Sequence, residues 1–267
     1  MDKNKIILFD LDGTLIDSTD AIVSTFYHSF KELNFDFKGN DEDIKSLIGY
    51  PLDIMYKNLG VNESKVWDFV DSYKNRYRVI SIEQTTLLEN AYEAVALASQ
   101  ISRVSVVTTK TRTYSMPLLD NFNISQFFEI VTGRENVQNP KPHPEPILVT
   151  LEQMNYDKNK HSVWMIGDTK LDLIAAREAN VNSIGVLCGY GHEEELREYR
   201  KKYYELMKEN NKLRNARERM GLFKQLLALI EECINNPELL SARNIEIIRK
   251  IYKKLTILIE VLNNQKR

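Results

Sequence analysis

The sequence predicts an α/β fold: a doubly wound parallel sheet, an inserted helical segment and an all-helical C-terminal extension. Three observations carry this reading. Apolar runs of strand length recur along the first 190 residues, and four polar sets follow such runs or the loops between them. Between the first two polar sets lie more than ninety residues with helical spacing, far more than a simple crossover needs. After Gly191 the chain continues for 76 residues with almost no strand signal.

The first run, Ile6-Ile7-Leu8, reads as a short buried strand and leads into Phe9-Asp10-Leu11-Asp12-Gly13-Thr14. Two carboxylates spaced i, i+2 at a strand end point the same way, so both can face one site beyond the sheet edge. Gly13 lets the chain turn sharply after them. In open α/β sheets ligands bind beyond the carboxyl ends of the strands, where these acids fall. Such a pair suits a hard cation such as Mg2+, and one member can attack phosphorus.

From Asp17 to about Glu83 the pattern is helical. Ala21, Ile22, Phe26 and Phe30 recur at helical spacing, as do Ile44, Leu47 and Ile48, then Val66, Phe69, Val70 and Tyr73. A second strand, Val104 to Val107, closes on Thr108-Thr109-Lys110. The segment Asn139 to Pro146 alternates prolines and holds an extended path into a helix start. Val163-Trp164-Met165-Ile166 runs into Gly167-Asp168-Thr169-Lys170-Leu171-Asp172, where Asp168 sits at the strand end and Asp172 lies one helical turn on. Ser183 to Val186 reads as a fifth strand, closed by Gly189-Tyr190-Gly191. Strands alternating with helix-length segments predict a parallel sheet with helices on both faces and all four polar sets at one edge.

With these sets in place, residues 5 to 191 resemble the haloacid dehalogenase-like hydrolases. The sets DLDGT, the strand-end Thr, the lone Lys and GDTKLD match that family's four motifs in order and spacing. The stretches DGTLIDS, IGYPL, TTK, KPHPEP and GDTKLDLIAA look most like the phosphoglycolate phosphatase branch. The resemblance implies a Rossmann-like core over residues 1–16 and 84–191, a helical cap over 17–83, and a phosphatase; the two cysteines and the direct start into a core strand make a cytoplasmic location the expectation. It makes Asp10 the nucleophile that forms an aspartyl-phosphate, and Asp12 the acid that protonates the leaving alkoxide and then deprotonates water. Mg2+ would be held by Asp10, the main-chain carbonyl of Asp12, and Asp168, with Asp172 in or near the surrounding shell. Thr108 and Lys141 would bind the transferring phosphoryl oxygens, with Thr109 beside them in the substrate site. The family's dehalogenases lack the second acid of the first motif, so Asp12 argues for phosphoryl transfer over carbon–halogen cleavage. The loop Gly49-Tyr50-Pro51-Leu52-Asp53 aligns with the substrate-facing loop of the family's cap, and cap cations such as Lys45, Lys57, Arg76 and Arg78 are candidates to meet a substrate carboxylate, with most such side chains expected at the solvated surface.

Composition sets outer limits. Hydrophobic content of 43% supports a packed core. The two cysteines, Cys188 and Cys233, are too few for a disulfide framework and too far apart for a metal-ligand motif, which favours a reducing compartment. Met1 leads through Asp2-Lys3-Asn4-Lys5 directly into a core strand, so no signal peptide is expected, and no apolar run approaches the ~20 residues that span a bilayer.

Residues 192–267 depart from the resemblance. Leu196, Tyr199, Tyr203, Leu206, Asn210 and Leu213 alternate three and four apart, a heptad seam with one polar position. Two further amphipathic stripes follow, around Leu222 to Cys233 and Ile245 to Leu262, as in a small helical bundle. This extension holds 17 Lys+Arg against 12 Asp+Glu, leaving 19 against 26 for residues 1–191. Its acids are interspersed among the bases and no nucleic-acid motif is present, so the charge reads as a solvated helical surface. The seam is expected to pack on itself, on the core, or on a second copy in a homodimer.

Two function classes follow. The first is a Mg2+-dependent phosphatase for a small phosphomonoester such as 2-phosphoglycolate, with pyrophosphatase, sugar- or nucleotide-phosphate phosphatase and phosphomutase as alternatives on the same core. The second is a scaffold whose helical extension binds a partner.

Overall fold

The computed structural model describes residues 3–198. The helices, the seam contacts and the homodimer expected beyond residue 198 lie outside the described residues. The elements run β1 (Lys5–Phe9), β2 (Ile16–Asp17), α1 (Thr19–Glu32), α2 (Asp41–Lys45), α3 (Leu52–Asn58), α4 (Val66–Ile80), β3 (Thr86–Leu87), α5 (Ala91–Ile101), β4 (Arg103–Val107), α6 (Arg112–Asn121), β5 (Val131–Thr132), α7 (Glu145–Gln153), β6 (Ser162–Gly167), α8 (Lys170–Glu178) and β7 (Asn182–Gly185).

Five strands form a parallel sheet in the order β5-β4-β1-β6-β7, so the chain starts in the middle and winds outward both ways. Side chains alternate across a strand, and β1 shows the consequence. Ile6 and Leu8 pack with Ile147 and Leu151 of α7 and Ala175 and Ala176 of α8. Phe9 packs on the other face with Val95 of α5 and Leu118 and Leu119 of α6. Helices therefore cover both faces, which is why the central strands read as continuous apolar runs.

Register decides where the polar sets emerge. Phe9 is level with Val106 on one side and Ile166 on the other. Asp10, Thr108 and Asp168 therefore leave the sheet within two residues of one another at a single edge.

The helical insertion occupies the chain between β2 and β3. Ile22, Phe26 and Phe30 on α1 and Val66, Phe69, Val70, Tyr73 and Tyr77 on α4 bury one stripe each. They meet around a cluster of rings, with Phe26 against Tyr56 at 4.6 Å and Tyr73 at 5.1 Å between centroids. This cluster is separate from the two that flank the sheet, apart from Tyr114 and Tyr190, which reach it from the sheet domain.

Four features differ from the sequence reading. The boundaries of the insertion are strands: Ile16–Asp17 pairs antiparallel with Thr86–Leu87, tying entry and exit together. Ile44, Leu47 and Ile48 do not share one helix; α2 ends at Lys45 and a turn carries the chain to Gly49 at φ +107°. The edge strand β5 has no signature in the sequence because two residues carry no periodicity. The fifth apolar strand lies one residue earlier than its sequence pattern implies, and its side chains are exposed at the sheet's other edge.

Candidate active site

The carboxylates of Asp10, Asp168 and Asp172 offer oxygen atoms within 4.8 Å of one another, and all three residues are buried. Each is positioned by a different element. Asp10 continues β1, and its amide still bonds the carbonyl of Ile166 at 2.8 Å, so its backbone is held by the sheet. Asp168 follows β6; one oxygen accepts from the Thr14 hydroxyl at 3.0 Å and the other from the Tyr190 amide at 2.7 Å. Asp172 lies in the first turn of α8, where its Oδ2 accepts from the Thr169 amide at 3.1 Å and hydroxyl at 2.8 Å. A carboxylate there also meets the positive end of the helix dipole.

Glycines make the crowding possible. Gly13 turns at φ +78°, and a Cβ there would collide with the carboxylate of Asp168. At Gly167 a Cβ would occupy the space of the Asp172 side chain.

Lys141 supplies the countercharge. Its ammonium is 2.8 Å from Asp10, 2.5 Å from Asp172 and 3.1 Å from the Val107 carbonyl, with only 2% of the side chain exposed. It thus ties the ends of β1, β4 and α8 together. Burial opposes its charge, but Asp10 and Asp172 outweigh that and hold the ammonium above its ordinary pKa. Asp10 is also pushed up: burial dominates, Asp172 and Asp168 add repulsion, and Lys141 only partly offsets them. Burial, then Asp172, push Asp168 up to about 6 against the pull of Tyr190 and Thr14. Three buried carboxylates, two of them paired with one ammonium, leave an excess of negative charge, the condition under which a hard cation binds.

Asp12 is placed apart from this cluster. Its carboxylate accepts from the Ser18 hydroxyl and lies 3.2 Å from the ammonium of Lys110. Lys110 in turn donates to the Tyr77 hydroxyl of α4 at 2.8 Å and lies 4.5 Å from the centroid of that ring. Burial opposes its charge, yet Asp12 and Tyr77 hold the ammonium above its usual pKa. The Asp12 side chain is therefore held between the sheet edge and the insertion.

Thr108 is buried at the end of β4, its amide bonded to the Thr132 carbonyl at 3.0 Å. Its hydroxyl oxygen accepts from the Lys110 amide at 3.1 Å, which leaves the O–H free to donate to a ligand. Thr109 lines a cavity of about 370 Å³ that also has Asp12 in its wall.

The structure thus gathers Asp10, Lys141, Asp168 and Asp172 into one cluster. Thr108 follows the carbonyl that Lys141 contacts, while Asp12 and Thr109 stand on the side facing the insertion. All of Gly49-Tyr50-Pro51-Leu52-Asp53 lines the cavity. Of the four insertion cations named from the sequence, none does: Lys45 pairs with Glu42 and Lys57 with Glu63, and Lys74 faces the cavity instead. In the sequence Lys110 is only the residue that closes the second strand. Its contact with Asp12 spans 98 positions and has no local signal. Thr14 and Tyr190 likewise meet Asp168 only through tertiary approach, whereas Ser18 reaches Asp12 across six positions.

The haloacid dehalogenase-like hydrolase family matches residues 7–186. A pyrophosphatase PpaX from Halalkalibacterium halodurans is 30% identical over 194 residues, covering 72% of this chain and 88% of the relative. A phosphoglycolate phosphatase from Colwellia psychrerythraea is 28% identical over 212 residues, covering 74% and 91%. A solved haloacid dehalogenase-like family hydrolase from Streptococcus pneumoniae superposes with a TM-score of 0.66 at 26% identity, over 74% of this chain and 92% of that one. The match begins inside the central strand and ends just past the last one, so sequence and fold agree over the same residues: the chain belongs to the haloacid dehalogenase-like hydrolases.

Proposed function

We propose that this protein is a Mg2+-dependent phosphatase that hydrolyses a phosphomonoester through an aspartyl-phosphate on Asp10. The observation that carries the reading is the buried cluster of three carboxylates, two of them paired with the ammonium of Lys141. An all-oxygen donor set with excess negative charge fits Mg2+, which Asp10, Asp168 and the main-chain carbonyl of Asp12 would hold, with Asp172 beside them. When bound, the cation neutralises the carboxylates and the phosphoryl oxygens that would otherwise repel them.

The protein's own groups account for the two displacements. Lys141 and the free O–H of Thr108 bind the phosphoryl oxygens and set phosphorus in line with Asp10. An Asp10 oxygen attacks, the bond from phosphorus to the leaving oxygen breaks, and Asp12 gives that oxygen its proton. Water then attacks the phosphoryl group and Asp12 takes its proton, releasing phosphate and restoring Asp10. The helical insertion acts as a cap: Tyr77 of α4 reaches the Lys110–Asp12 pair, so the acid–base group is completed from both sides of the cleft.

Phosphate release from a panel of phosphomonoesters and pyrophosphate tests the reading. Turnover that requires Mg2+ and stops in EDTA is expected; equal turnover in EDTA contradicts it.

Two further results are expected. Without a cation, the folded protein keeps a proton on Asp168 up to about pH 6, whereas an unfolded aspartate releases it near ~3.9. The folded state therefore binds more protons across that window, and stability falls as pH rises through it. Mg2+ needs the ionised carboxylates, so it should raise Tm little at about pH 5 and clearly more at about pH 7.5. Scanning fluorimetry at both pH values checks this, and equal shifts would count against it. Replacing Lys110 by Met removes a charged partner of Asp12. A hydrogen bond of that kind is worth about 1.5–3 kcal/mol, so kcat should fall on the order of tenfold or more, with Mg2+ binding retained. Steady-state kinetics alongside a Mg2+ titration of Tm separate the two effects.

A further inference from the structure

From the cavity that opens from Asp12, we infer that the leaving group is a flat, uncharged organic alcohol about the size of a nucleoside, and not a small anion. This rests on the phosphatase reading above and names the substrate class it takes. The group that protonates the leaving oxygen must touch it, so the cavity with Asp12 in its wall is where the rest of the substrate lies. Its volume of about 370 Å³ falls in the range of sites for drug-sized ligands, far more than a glycolate or a second phosphate fills.

The lining is aromatic. Tyr73 and Tyr77 of α4 are stacked with centroids 5.4 Å apart, and Tyr114 of α6 meets Tyr77 edge-on at 5.9 Å. Tyr50 adds a ring from the loop before α3, and Ile22, Ile48 and Met55 supply aliphatic surface. Trp67 lines the cavity from the first turn of α4 with 63% of its surface exposed, although large apolar side chains in the insertion are otherwise mostly buried. An exposed indole at the edge of an aromatic cleft is placed to stack on a planar ligand.

Charge does not favour the small anions. Three acids, Asp12, Asp53 and Glu135, and three bases, Lys74, Lys110 and Arg134, line the cavity, so it carries no positive surplus. Of the bases, Lys110 is engaged by Asp12 and Tyr77, and Arg134 donates to the Val137 carbonyl. A glycolate carboxylate or the leaving phosphate of pyrophosphate would meet Lys74 and Arg134 opposed by Asp53 and Glu135, so it loses hydration without gaining a net countercharge.

The test compares kcat/KM, with Mg2+, for benzyl phosphate and a nucleoside 5′-monophosphate against 2-phosphoglycolate and pyrophosphate. The aromatic esters should exceed the two anionic substrates by at least about tenfold. Trp67→Ala should narrow that preference, and Trp67→Phe should restore most of it. Preference for 2-phosphoglycolate or pyrophosphate, or an unchanged preference in Trp67→Ala, overturns this inference and leaves the phosphatase reading standing. Turnover of no compound in the panel overturns both.

Discussion

Asp10→Asn is expected to lower phosphate release by roughly 10⁴-fold or more while leaving the protein at least as stable. The amide has the shape of the carboxylate and lacks the electron pair that attacks phosphorus. Stability moves the other way for a physical reason. The Asp10 carboxyl is pushed up by burial and by repulsion from Asp172 and Asp168, so its ionised form is strained in the metal-free protein. Neutralising it removes that repulsion, and Lys141 still has Asp172 at 2.5 Å. Kinetics and thermal unfolding of the same preparation check both halves. A large loss of Tm accompanying the loss of turnover would show that Asp10 is chiefly structural.

Lys141→Met should be the most destabilising single change in the site. Methionine keeps much of the volume and removes the charge, so Asp10, Asp168 and Asp172 are left buried with no ammonium among them. Leaving buried charge unpaired costs about 3–5 kcal/mol. For a domain of this size, 3 kcal/mol corresponds to a Tm loss of about 6–12 °C. The cost arises from ionised carboxylates, so it should shrink as pH falls and they protonate, and Mg2+ should recover part of it. Unfolding scans against pH, with and without Mg2+, measure this. A Tm equal to wild type at about pH 7.5 would mean that Lys141 is not the cluster's countercharge. Activity should fall as well, since the same ammonium is assigned to the phosphoryl oxygens.

The parts of the site built from strand ends are legible in the sequence. Asp10, Thr108 and Asp168 each follow an apolar run, and in a parallel sheet the carboxyl ends of such runs share an edge. Asp172 follows from helical spacing. Lys141 is placed by resemblance alone, because no local pattern marks a lysine in a proline-rich loop as buried. The contacts that span the cleft are not legible at all. Lys110 follows a strand like many surface lysines, and only folding brings it to Asp12 and Tyr77. The same holds for Lys74, which faces the cavity while the more conspicuous Lys45 and Lys57 are engaged by neighbouring glutamates. The two-residue strands Ile16–Asp17 and Thr86–Leu87 escape notice for want of length: their pairing joins positions some seventy residues apart, and two residues show no alternation.

Acid quenching of the protein during turnover of its best substrate, followed by peptide mapping by mass spectrometry, tests whether Asp10 carries the phosphoryl group. One phosphoryl group is expected on Asp10, absent in Asp10→Asn, with net retention of configuration when the substrate is chiral at phosphorus, since two in-line displacements occur. Turnover with inversion at phosphorus and no phosphorylated Asp10 would show that water attacks the substrate directly, and the role assigned to Asp10 would be wrong.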